Sequence, residues 1–413
     1  MFDLDKWSEI WGTVRRHKLR TGLTAFGVFW GIFMLAVLLG AGKGFRNGVE
    51  KEFNVAKNAI FVWTQRTSVP YMGLKAGRFV QLTNDDVTAL ERQVPEAALV
   101  LPRTSLHGTF TVQNGPKSSS FSVNGEYPGY PAVRAVDMQQ GRFINEPDIT
   151  GRRKIAIIGN RVVDILFGTT NPMGKYINIK GIYFQVVGVF KGSGKAEEAQ
   201  QDGQTIYIPL TTLQVAFNQT NKIDYFSFIP KTGIPAAVVE TKVKEVLRRQ
   251  HKVAPNDDRA FGSANVEEEY ARVQGLFMGI AGFSWLVSIG TILAGIIGVS
   301  NIMLIVVKER TKEIGIRKAL GATPWSIISL IVQESIVLTA VAGLIGLLFG
   351  TALMAGIASM IEGKDVGFFA SPQVDLGVAG MAVALLVIAG ALAGLVPATI
   401  AARVQPVVAL KDE

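Results

Sequence analysis

Charge is nearly absent from four long stretches of this chain. Residues 21–42 and 273–307 carry no charged side chain, 327–361 carries one acid, Glu334, and 376–402 carries none. A bilayer core about 30 Å thick needs roughly 20 helical residues, so each stretch predicts a membrane-spanning helix. The first stretch follows basic residues, as a secretion signal does, but its apolar core is longer than such a signal needs, so a retained anchor is expected. The second is longer than the bilayer requires. Upstream of it, "NVEEEYARVQ" continues the helical pattern, and Asn265 with Glu268 three residues later resembles a capping box. One helix over 265–307 is therefore expected, leaving the membrane as a stalk.

The polar stretches divide differently. Between the first two spans, residues 43–264 alternate short β-rich runs with helical ones. "GKYINIKGIYFQVVGVF" reads as strand, turn and strand, "RKIAIIG" and "TIYIPL" as further strands. "TNDDVTALERQV" and "PAAVVETKVKEVLRRQ" read as surface helices. The fold class expected is an α-helical membrane protein with four spans and a large two-lobed α+β domain between the first and second. "GSGKAEEAQQDGQ" (192–204) is polar and glycine-bearing and reads as a mobile loop, a connector or a docking element. At the start, Phe2, Leu4, Trp7, Ile10, Trp11 and Val14 recur at helical spacing over 1–20. That pattern predicts an amphipathic helix on a lipid leaflet, with packing on a partner protein as the alternative.

Charge fixes the topology. Lys6, Arg15, Arg16, Lys18 and Arg20 precede the first span, five bases lie between the second and third, and Arg403 and Lys411 follow the fourth in the tail at 403–413. The loop at 362–375 has only Lys364 against Glu362, Asp365 and Asp375. The positive-inside bias puts both termini in the cytoplasm and the large domain outside. That domain holds most of the chain's net charge of +9, so the basic balance lies on the wrong side for nucleic acid and reads as surface solvation or attraction to lipid. The chain has no cysteine, and the outer domain must fold without disulfides.

The charged segment "KERTKEIGIRKALGAT" (308–323) obeys helix geometry. Glu313 precedes Arg317 by four, the favourable order for an ion pair. Gly321 can end the helix, and Thr323-Pro324 restarts one as an N-cap followed by proline. From spacing alone this is a solvated connector. No phosphate-binding G-x-x-x-x-G-K-[ST] loop occurs, and "GSGKA" and "GAGKG" lack its spacing and hydroxyl. His17, His107 and His251 lie far apart, and no nucleophile elbow or catalytic acid pair is visible. No catalytic residue, metal site or cofactor is assigned to this chain, so any energy for uphill movement must come from elsewhere.

"GVSNIMLIVVKERTKEIGIRKALGAT" resembles the signature of the MacB/FtsX family of ABC transporter permeases. "PATIAARVQPVVAL" resembles the family's closing pattern and "KLRTGLTAFGVFWGI" its entry into the first span. "NPMGKYINIKGIYFQVVGVF" and "IYIPLTTLQ" are weaker echoes. The resemblance implies four spans, a periplasmic domain after the first, a stalk continuing the second, and a cytoplasmic coupling helix at 308–323. On it, Lys308, Glu309, Arg310, Lys312, Glu313, Ile314, Gly315, Arg317, Lys318, Leu320 and Gly321 would couple to an ABC ATPase that holds ATP and magnesium. A separate ATPase subunit is expected, and the permease is expected to pair with a second copy in the inner membrane. Export through a periplasmic adaptor and an outer-membrane channel is the leading function. Lipoprotein extraction and regulation of cell-wall hydrolases are alternatives within the fold, and a membrane sensor or scaffold is one from another class. The pairs Gly27/Gly31, Gly346/Gly350 and Gly390/Gly394 form small-residue faces suited to helix packing or a dimer contact. Glu334 reads either as a proton relay or as a structural partner for a nearby base.

Overall fold

The computed structural model describes residues 18–52, 55–194, 196–361 and 369–405. The amphipathic helix expected for the first residues, the charges of the loop at 362–368 and Lys411 lie outside them. The chain divides into two compact units, one of residues 1–50 and 275–413 and the other of residues 51–274.

The first helix, α1 (Lys18–Glu52), outruns the span expected at 21–42. Lys43 and Arg46 bound the apolar segment without stopping the helix, because straight-chain basic residues are good helix formers.

The α+β unit opens with β1 (Ile60–Thr64), α2 (Asn84–Gln93) and β2 (Ala97–Ser105), followed by β3 (Val112–Asn114), β4 (Lys117–Ser119) and β5 (Ser122–Glu126). Next come β6 (Asp137–Gly141), β7 (Ile155–Gly159), α3 (Asn160–Leu166), β8 (Tyr176–Ile179), β9 (Ile182–Lys191) and α4 (Ala196–Asp202). The unit closes with β10 (Thr205–Pro209), α5 (Leu210–Ala216), β11 (Tyr225–Pro230), α6 (Ala236–Gln250) and β12 (Phe261–Asn265). The strands form one path, β12-β1-β11-β2-β5-β10-β7-β9-β8-β3-β4, with β6 added on β9.

Two cores lie along this path. Ile60, Leu82, Leu90, Phe226, Phe228, Val243 and Leu247 fill one, under α2 and α6. Ala156, Ile158, Phe184, Ile206, Ile208 and Leu213 fill the other. The alternate residues Ile155, Ile157, Phe190 and Tyr207 point to the opposite face and form a third cluster with Tyr130. Strands buried on both faces read as continuous apolar runs, which is why "IAIIG" and "TIYIP" carry so little polarity. The two regions meet where β2 passes from β11 to β5, at the pairs Thr104–Gly125 and Ser105–Asn124. The β8–β9 hairpin turns at Lys180 and Gly181, with φ of +49° and +88°. Two successive positive φ values are the pattern of a type I′ turn.

The expected mobile loop at 192–204 contains α4. Its "AEEAQQD" is built of good helix formers, and the glycines only flank it. Asp202 accepts from the Ser193 backbone N–H at 3.0 Å and pairs with Arg134 at 3.3 Å, while Gly192 N–H donates to Asn160 Oδ1 at 3.1 Å.

The helical unit takes its remaining elements from α7 (Val266–Glu309), α8 (Thr311–Ala319), α9 (Pro324–Ile361) and α10 (Leu376–Ala402). α7 is a single helix of 44 residues, about 66 Å long, whose first turns belong to the α+β unit. Half of the expected capping box forms there: Glu268 N–H donates to Asn265 Oδ1 at 3.2 Å, while Glu268's own carboxylate faces Arg272 at 3.8 Å. Three contacts fix these first turns. Val266 N–H donates to Ala59 O at 3.0 Å, Ala236 N–H donates to Glu267 Oε2 at 2.7 Å, and Lys57 Nζ donates to the Tyr270 hydroxyl at 3.0 Å.

The bundle core holds Val28, Ile32, Leu35, Ile292, Val299, Met303, Ile331, Leu386 and Ala393. All six glycines proposed for packing or a dimer face point at helices of the same chain. A Cβ on Gly346 would collide with Phe29 O, one on Gly390 with Thr339 Oγ1, and one on Gly350 would lie 2.7 Å from Ala36 Cβ. Gly394 faces Ser335, Gly31 faces Ile292, and Gly27 meets Gly295. Within the chain these positions serve helix packing, the first of the two roles that their spacing suggests. Glycine spacing signals close approach without telling whether the neighbour belongs to the same chain.

Candidate functional site

The charged segment is shorter and more tightly built than its sequence suggests. α7 runs on to Glu309, Arg310 makes the bend, and α8 covers only Thr311–Ala319 of the expected 308–323. Hydrogen bonding continues through the bend, with Arg310 N–H donating to Val306 O and Ile314 N–H to Arg310 O at 3.0 and 2.9 Å. The Thr311 hydroxyl donates to Lys308 O at 2.8 Å, satisfying a carbonyl at the end of α7. At the far end Ala322 N–H reaches Arg317 O and Gly321 N–H reaches Lys318 O, each at 3.0 Å. These are the two bonds of a Schellman stop, and Gly321 adopts the left-handed backbone it requires, at φ +97°. Thr323 then caps α9, accepting from Ser326 N–H at 3.3 Å, with Pro324 at the first helical position.

The side chains of α8 face several neighbours. Ile314 and Gly315 are buried against the bundle. Arg317 pairs with Glu313 at 2.7 Å along the helix, and Arg310 lies 3.6 Å from Glu334. Glu334 is buried, and Arg310 is a nearby base of the kind that the structural reading of this acid calls for. Lys318 donates to Ala402 O and Val404 O, each at 2.8 Å, capping the C-terminus of α10. Sequence reasoning missed this tie, since nothing in spacing links position 318 to a helix end more than eighty residues on.

What remains outward is apolar as much as charged. Ile316 is 44% exposed, Leu320 83% and Trp325 75%, beside exposed Lys308, Glu309 and Lys312. An exposed isoleucine and leucine four residues apart on a short fixed helix form a patch suited to contact with a partner. Leu320 and Gly321 were named from the motif. Ile316 and Trp325 are not among the positions that the resemblance implies for coupling.

A second polar constellation lies in the α+β unit. The partly buried Arg103 lies beside the buried Glu126, 2.8 Å from Nε to Oε1, and its Nη1 donates to the Tyr130 hydroxyl at 3.2 Å. The guanidinium also sits over the rings of Tyr130 and Tyr225, at 5.3 and 5.6 Å. Burial pushes the Glu126 carboxyl up to about 7, and the guanidinium beside it works in the opposite direction. These residues are scattered from 103 to 225 and carry no local signature. Among the described residues no cluster of metal-binding side chains occurs.

Comparison with known proteins gives this geometry a family. Residues 21–246 match the MacB-like periplasmic core domain, more than half of the chain. The chain belongs to this family. Residues 285–406, which include the whole charged segment, match the FtsX-like permease C-terminal region. The macrolide export ATP-binding/permease protein MacB of Bdellovibrio bacteriovorus is 28% identical over 407 residues, covering 97% of this chain and 60% of that protein. The pyoverdine export ATP-binding/permease protein PvdT of Pseudomonas entomophila is 30% identical over 405 residues, covering 98% and 59%. The chain thus spans about 60% of the length of these curated relatives. The crystal structure of the periplasmic region of MacB from Actinobacillus actinomycetemcomitans is similar at a TM-score of 0.44 and 20% identity, over 55% of this chain and 98% of that one. With four helices among the described residues long and apolar enough to cross a bilayer and an FtsX-like permease region, this member of the MacB-like family is an integral membrane protein. Its α+β unit corresponds to the periplasmic core domain.

Proposed function

We propose that this chain is the membrane subunit of an ABC exporter of the inner membrane, with both termini in the cytoplasm. A partner ABC ATPase subunit binds ATP and magnesium and docks on α8. α8 passes the ATPase's closing motion into α7, and α7 carries it to the periplasmic core domain. Substrate on that side is then moved towards a periplasmic adaptor and an outer-membrane channel. The permease acts as a pair of copies. Gly275, Gly279, Gly282 and Gly290 on α7 have no neighbouring atom within 4 Å of an added Cβ, which leaves that face available to a second copy. Two relatives carry the words "export ATP-binding/permease protein" in their names, which supports both the export reading and the ATPase partner.

The observation that carries the reading is α8 itself. It is bent off the end of a spanning helix, bound to α10 by Lys318, stopped by Gly321, and presents Ile316 and Leu320 outward. A solvated connector has no need of that exposed pair. ATPase activity measured with the permease reconstituted beside its ATPase tests it. Ile316→Glu with Leu320→Glu is expected to cut the stimulation by the permease at least tenfold while the permease remains folded. Undiminished stimulation would remove α8 as the docking helix.

A further inference from the structure

The periplasmic core domain contains an open cleft of 970 Å³. That volume suits a small-molecule ligand. Its floor is the face of β5 and β10 opposite the apolar core, where Asn124 and Thr205 alternate with core residues Val123 and Ile206. Asn124 and Thr205 are each only 7% exposed. Asn124 Oδ1 is held by the Ser105 hydroxyl at 2.8 Å, which leaves its amide N–H groups for the cleft. The Thr205 hydroxyl makes no hydrogen bond among the described residues. Both residues are largely enclosed, and these unpartnered donor atoms open onto the cleft, where oxygen atoms of a ligand can accept from them.

The mouth is charged in the opposite sense to the domain. Arg103 and Arg134 line the cleft, but their charges are met by Glu126 and Asp202 at 2.8 and 3.3 Å. Glu240 is met by Lys244 at 2.8 Å. Arg272 lies 3.2 Å from Glu269 and 3.8 Å from Glu268, one base between two acids, and Glu198 adds a third carboxylate. Among the described lining residues, acids therefore exceed bases within a domain that is basic overall. A cleft focuses such a field and concentrates cations in it. Large apolar side chains are missing from the described lining, which disfavours a greasy ligand.

We propose that this cleft binds a hydrophilic amine rich in hydroxyl or carbonyl oxygens. The oxygens accept from Asn124 and Thr205 on the floor, and the ammonium groups sit against Glu198, Glu268 and Glu269 at the mouth. The site is a property of the periplasmic core domain and stands or falls independently of ATPase docking.

Calorimetric titration of the full chain in phosphatidylcholine nanodiscs, without ATP or ATPase, tests this with three probes. Kanamycin carries both amines and hydroxyls, spermidine only amines, and sucrose only hydroxyls. Kanamycin is expected to bind at least tenfold more tightly than either of the others. Glu198→Gln with Glu269→Gln should weaken it at least tenfold, and the near-isosteric Thr205→Val several-fold. Asp164→Asn with Asp258→Asn, exposed acids outside the cleft, should leave it unchanged. Equal binding of the three probes, or kanamycin affinity indifferent to the cleft variants, would overturn the proposal.

Discussion

Glycine 346 shows how much of the membrane unit rests on single atoms. Phe29 O occupies the place of its missing Cβ, so Gly346→Ala must push α1 and α9 apart. Overpacking of that kind costs about 1–3 kcal/mol. Gly356→Ala, also in α9, meets nothing within 4 Å in the chain and gains helix propensity. Thermal unfolding of the detergent-solubilised protein should therefore fall for the first variant and stay level or rise for the second. Glu126 gives a contrasting test in the periplasmic core domain. Its carboxyl, raised by burial from 4.5 to about 7, binds its proton more tightly in the folded than in the unfolded state. Its contribution to stability is present below about 4.5 and is lost as pH climbs through about 7. The surrounding charged and titratable groups are Arg103, Tyr130, Tyr207 and Tyr225. The unfolding temperature should drop between pH 5 and pH 8, and Glu126→Gln should flatten that drop. An equal drop in the variant would place the titration elsewhere.

At the scale of elements, α8 matters through what holds it. Lys318 ties it to the last carbonyls of α10, the helix end where a cation is most favourable. Lys318→Met should leave the four spanning helices folded by circular dichroism and lower the stimulation of a reconstituted ATPase several-fold. Lys318→Arg, which keeps the donor, should restore part of it. A methionine variant with full stimulation would make the tie dispensable. Legibility also varied by element, for physical reasons. The spans, the β8–β9 hairpin and the Gly321 stop follow from local pattern, since apolar length, a two-residue turn and a left-handed glycine are all written in neighbouring residues. α4 was hidden because the glycines at its flanks mask the helix formers between them. The Lys318 tie, the Arg103–Glu126 pair and the partners of the six glycines are contacts between distant positions. One sequence carries no trace of them beyond the residue types involved.

The whole molecule comprises two units, a bundle closed by glycine contacts and a two-core periplasmic domain on one strand path, with α7 contributing to both. The fixed, exposed tip of α8 is where the proposed partner ATPase would act. A photo-crosslinking amino acid at Leu320, the most exposed apolar position of the segment, tests this docking in native membranes. Irradiation should join the chain to a protein with an ATP-binding cassette, while the same probe at Leu293, on the apolar surface of α7, should not. Adducts with that ATPase from position 293 and none from position 320 would contradict docking at α8.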